Sequence, residues 1–154
     1  MEFAVLLLTP LLGSLLLAVW GARPRAAEIN IALSFGTFLA AVAVTARVIN
    51  EGNLTAANEQ FFLDPFNVFL VTLTAFVGLT TSIFSRPYMR IEMEHGRLSE
   101  GRLRLYHSMY QLFMTMMLVA LTTNNMGLLW VSLEAATLST VLLVTLYRTA
   151  ASLE

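Results

Sequence analysis

Five long apolar blocks, at residues 3–20, 29–49, 66–84, 106–123 and 126–147, decide what this chain can fold into. Each is about as long as the roughly 20 residues a helix needs to cross the hydrocarbon layer of a bilayer. None alternates polar and apolar residues as the strands of a lipid-facing barrel do. In hydrocarbon every backbone group needs a partner within the structure, and helices supply one. The expected fold class is therefore all-α: a polytopic transmembrane helix bundle of about five spans, with the lipid bilayer as its first partner. Composition agrees. The 154 residues are 57% hydrophobic and 12% charged, and that charged share is about half the roughly 25% of soluble domains.

Local signals refine the spans. Pro10 should kink the first, and Pro65 should open the third, where a missing N–H costs little. Asn124-Asn125 reads as a tight helical hairpin, too polar for mid-membrane. The first block follows Glu2 and precedes Arg23 and Arg25, the reverse of a secretory signal, so it is expected to be a retained span. All nine basic residues are arginines and there is no lysine. An N-terminus outside puts Arg23, Arg25, Arg86, Arg90, Arg97, Arg102, Arg104 and Arg148 on the inner side. Arg47 is the exception, and the acidic stretch 50–64 faces out. The positive-inside rule favours that orientation, in a cell inner (plasma) membrane. Small residues four apart, at Ala32, Gly36 and Ala40, at Ala135 and Ser139, and at Ala136 and Thr140, mark faces where helices pack closely.

Several function classes drop out. A net charge of −1 gives no drive toward nucleic acid. The absence of cysteine excludes disulfides and cysteine-ligated iron–sulfur clusters. There is no glycine-rich phosphate loop and no nucleophile–base pair. His95 and His107 are far apart, without ligand-spaced neighbours, so no metal or cofactor is expected. The four methionines between residues 109 and 117 read as adaptable packing. Nothing in the chain makes or breaks bonds.

One residue resists the pattern. Glu134 lies eight residues after Met126, about 12 Å into the fifth span at 1.5 Å per residue. A carboxylate at such a depth costs about 3 kcal/mol on insertion scales. Intramembrane acids are kept for proton relays, or else serve as protonated glue between helices. Trp130 and Thr137, at i−4 and i+3, share its face and can shield or hydrogen-bond it. His107, with Gln111 four residues on, stands at the inner boundary of the fourth span. It is a candidate for passing protons from the cytoplasm, with an ordinary interfacial residue as the alternative. Candidate proton-transfer residues are thus Glu134, His107 and Thr137. The arginine-bearing loop of residues 85–105 reads as a solvated loop that sets orientation, although it can also touch anionic headgroups.

These motifs have a familiar order. LDPF (63–66) precedes the third span, SRPYM (85–89) closes it, and FMTMMLVALTTNNMGLLWVSLE runs from 113 to 134. The arrangement resembles the antiporter-like membrane subunits of respiratory complex I and group-four membrane-bound hydrogenases. The continuation SLEAATLST is most similar to the hydrogenase 4 type. The resemblance implies a proton-translocating subunit, working beside other membrane subunits of a respiratory or hydrogenase complex. Family members have about fourteen helices, in inverted-repeat transport units of the kind found in transporters. Glu134 matches a helix-five glutamate that pairs in the family with a lysine on a broken helix.

On that reading residues 1–105 are three N-terminal helices with the arginine-bearing loop, and residues 106–154 begin a transport unit. Neither the lysine nor the remaining helices occur in this sequence. The expectation is an N-terminal portion of a longer subunit, a truncated paralogue or a fragment. Two rival readings stand beside it: a structural or assembly module that moves no ion, and a Na⁺/H⁺ antiporter component without a redox partner.

Overall fold

The computed structural model describes residues 1–96 and 98–147, so Arg97 and Arg148, both used above to orient the chain, lie outside the described residues. Five helices carry the fold: α1 (Glu2–Trp20), α2 (Ala26–Glu51), α3 (Pro65–Glu94), α4 (Glu100–Thr122) and α5 (Met126–Val144), the last running into a 3₁₀ turn, Thr145–Tyr147. The all-α class is as expected. Of the five, α1, α2, α3 and α5 are long and apolar enough to cross a membrane. The fourth is more polar, and it is the helix the others gather around. It packs against α1, α3 and α5, while α2 packs against α1 and α3.

Antiparallel succession gives the bundle two ends. At one, a short hairpin joins α2 to α3: β1 (Leu54–Ala56) pairs with β2 (Phe61–Leu63), Thr55 opposite Phe62. Its turn holds Ala57, Asn58 and Glu59 at positive φ. The hairpin grips the α4–α5 corner, where the Asn124 N–H donates to the Gln60 carbonyl at 2.7 Å and Asn125 Nδ2 to Gln60 Oε1 at 3.0 Å. Pro65 opens α3 as expected. Asp64 accepts from the Phe66 and Asn67 N–H groups, and Asn67 Oδ1 accepts from the Asp64 N–H. Arg47 meets Glu51 (2.8 Å) and Glu2 (3.2 Å) at this end.

The opposite end carries the arginines, and here the structure departs from expectation. The anticipated loop 85–105 is mostly helix. α3 continues through Pro87 to Glu94, and α4 begins at Glu100 behind a Ser99 cap. Proline forfeits one hydrogen bond inside a helix. The continuation holds because Met89 and Glu92 are buried against the bundle and Arg86 pairs with Glu28 at 2.5 Å.

Burial divides along the same axis. Toward the hairpin end the interior is apolar, built from Leu6, Val44, Val48, Val68, Val71 and Leu118. Toward the arginine end it is lined with hydroxyls, amides and an imidazole. The small-residue stripe foreseen in α2 packs only in part: Ala40 is buried, Gly36 half-buried and Ala32 exposed.

Candidate functional site

Helix α5 starts at a clear local signal. Asn125 Oδ1 accepts from the N–H groups of Gly127 (2.9 Å) and Leu128 (3.1 Å), satisfying donors that a helix start leaves open. The helix docks on α4 through Ser132, Ala136 and Ser139, its buried residues. Their hydroxyls bond back to carbonyls four residues earlier, Ser132 to Leu128 (2.7 Å) and Ser139 to Ala135 (2.8 Å), so no polar group is left over in the contact.

At about 100° per residue that stripe occupies a narrow arc, and Glu134 points about 170° away from its middle. Glu134 is accordingly exposed, as are Thr137 and Trp130 on the same side. The structure thus brings Glu134, Thr137 and Trp130 onto one face, as their spacing required. Thr137 Oγ1, however, donates to its own Leu133 carbonyl at 2.9 Å. Enclosure of the carboxyl inside a bundle was anticipated, and these five helices do not provide it. Ser132, Ala136 and Ser139 are the residues small enough to meet α4, so the glutamate is turned outward with Leu138 and Val141.

His107 is not brought near Glu134. It sits in the second turn of α4, only 2% exposed, with its ring edge-on to Tyr106 at 5.2 Å. Its surroundings are those of the core, not of an interface. One turn on, Gln111 Nε2 donates to Asn30 Oδ1 (2.8 Å), Ser34 Oγ (3.2 Å) and the Asn30 carbonyl (3.3 Å). Ser108 Oγ donates to the Ser14 carbonyl at 3.0 Å and the Tyr110 hydroxyl to the Gly78 carbonyl. Side chains of α4 therefore reach α1, α2 and α3 in turn. Among the described residues four buried side-chain polar atoms stay unpartnered: both His107 ring nitrogens, Asn30 Nδ2 and Gln111 Oε1. Each such atom costs about 1–3 kcal/mol.

Asn30 and Ser34 had not been singled out from the sequence. The signal was there: Asn30, Ser34 and Thr37 repeat at helical spacing along α2, opposite His107, Gln111 and Thr115 on α4. Among the described residues no three histidine or acidic side chains come together as a metal site.

Five packed helices, four of them able to span, and buried amides, hydroxyls and an imidazole under an apolar surface define a polytopic helical membrane protein. The chain is 41% identical over all 154 residues to the Hydrogenase-4 component F homolog of Methylacidiphilum infernorum (isolate V4). The match covers 100% of this chain and 31% of the relative, so the chain spans about a third of its length. No family model matches the chain. The likeness to the hydrogenase 4 type, read from SLEAATLST, is thus borne out.

Proposed function

We propose that the chain is part of a proton-translocating membrane subunit of a hydrogenase-type complex in the plasma membrane, with Glu134 as its switchable carboxyl. One observation carries the reading: a carboxyl halfway along an apolar span, on the face of α5 that its own helices leave open. An acid at such a depth is kept where it can pair. Its partner in this reading is a basic side chain on a further helix seated against Trp130, Glu134, Thr137 and Val141. Pairing holds the carboxylate charged, and opening the pair lets it take a proton. Thr137 lies one turn along the same face, suited to passing that proton on. His107 belongs to another part of the molecule, and any proton it handles comes from the arginine end.

The test is Glu134→Gln in the assembled membrane complex, with proton movement and complex abundance measured together. Loss of proton movement at normal abundance is expected. Unchanged movement at normal abundance rejects the role.

The open face of α5 is also broadly apolar, with Trp130, Leu138 and Val141 flanking the carboxyl, which favours a second reading as an assembly module. In that case Glu134→Ala lowers abundance while the protons moved per electron passed stay constant. In a Na⁺/H⁺ antiporter component, the same variant abolishes sodium-dependent proton exchange in vesicles without any redox partner.

A further inference from the structure

The arginine end holds a cavity of about 310 Å³. Arg23, Glu28, Arg86, Arg90 and Glu100 line it together with the apolar Met89, Met93 and Leu103, and His107 reaches it from α4. Behind His107, one helical turn deeper, come Gln111 and its partners Asn30 and Ser34. Cavity and polar seam thus meet at a single side chain, buried to 98% and with both ring nitrogens unpartnered.

The orphaned atoms have a telling balance. Asn30 Nδ2 donates, Gln111 Oε1 accepts, and a neutral imidazole adds one donor and one acceptor. A bound anion uses donors alone and a metal cation uses acceptors alone. Water, which donates two hydrogen bonds and accepts two, suits the whole set. The arginine-rich mouth further disfavours small cations.

We propose that the cavity and the His107–Gln111–Asn30–Ser34 seam form one water-holding vestibule, open at the arginine end and closed partway through the bundle. Ala41 and Val44, both at most 1% exposed, begin the apolar stretch of α2 that stops it. Solvent then reaches the level of Ser34, about 12 Å along α2 from its first residue, and His107 exchanges protons with that side only. No residue of α5 lines the cavity or the seam, so the vestibule stands whether or not Glu134 moves protons.

The chain has two histidines, and the other, His95, is exposed, which supplies an internal reference. Treating the unaltered protein in its native membrane with diethyl pyrocarbonate, read by mass spectrometry, should modify His107 within about tenfold of the His95 rate, since a neutral, solvated imidazole is reactive. A slower rate overturns the vestibule. The absence of native cysteine allows a second measurement. Alkylation by iodoacetamide needs a thiolate and hence water, so Ser34→Cys should react at least about tenfold faster than Ala41→Cys. A smaller ratio overturns the closed, one-sided arrangement.

Discussion

Helices α4 and α5 are neighbours with opposite habits. Nine residues of α4 are buried, among them His107, Ser108, Gln111, Thr115 and Thr122. On α5 only Ser132, Ala136 and Ser139 are buried, while Trp130, Leu138, Val141 and Val144 face outward. A soluble bundle sorts the other way, with apolar stripes inside and polar faces out. In lipid the apolar side chain gains nothing by being covered, whereas an amide or imidazole gains a partner. The more polar helix therefore becomes the hub. Glu134 breaks the sorting: among the described residues it is the one acid well inside a span, and it sits on the outward face of the helix that otherwise follows the lipid rule best.

The contrast can be broken by experiment. If α4 is the hub, Gln111→Leu should cost the most, about 2–3 kcal/mol, because it removes the three hydrogen bonds that tie α4 to α2 and sets an apolar side chain in the polar seam. Trp130→Leu on the open face of α5 should leave unfolding in detergent nearly unchanged, and comparable losses would end the distinction. Gly21→Val should follow at about 1–2 kcal/mol through overpacking. A Cβ there would meet the Arg104 Cα at 3.0 Å and its carbonyl oxygen at 3.2 Å, which is backbone and cannot swing aside. Ser139→Leu, which wedges apart the α4–α5 seam, should cost about 1 kcal/mol and be read as altered α5 accessibility. The smallest of the expected losses belongs to Arg86→Gln. Its partner Glu28 is 43% exposed, so the loss should be a few tenths of a kcal/mol. That loss should vanish near 1 M salt, where the screening length is about 3 Å.

Much of the architecture was legible because hydrocarbon imposes so simple a code. The apolar blocks located all five helices, Pro65 and Asp64 marked the start of α3, and Asn125 marked that of α5. The end of α3 was not legible. Pro87 looks like a stop, and only packing of Met89 and Glu92 against other helices carries the chain past it. The hairpin was missed for a different reason. Positive φ is usually announced by glycine or asparagine, and here Ala57 and Glu59 adopt it beside Asn58. At the candidate site, depth is set by position in the apolar block, whereas direction depends on which face of α5 meets α4. The same periodicity that put Thr137 beside Glu134 also puts both opposite Ser132, Ala136 and Ser139. His107 read as interfacial because its covering, the overrun of α3 and the turn before α2, comes from distant sequence.

The ion pairs at the two ends of α2 have a consequence for how the molecule sits. Glu28, held by Arg86, and Arg47, held by Glu2 and Glu51, are nineteen residues apart on one continuous helix. At 1.5 Å per residue that is about 28 Å, close to the roughly 30 Å thickness of a bilayer's oily layer. Sinking or lifting the bundle by one turn would drag a charged clasp into that layer, at about 3 kcal/mol per group. The chain thus carries its own depth gauge, anchored in both headgroup zones, and any motion it makes should be a tilt or a twist, not a bob.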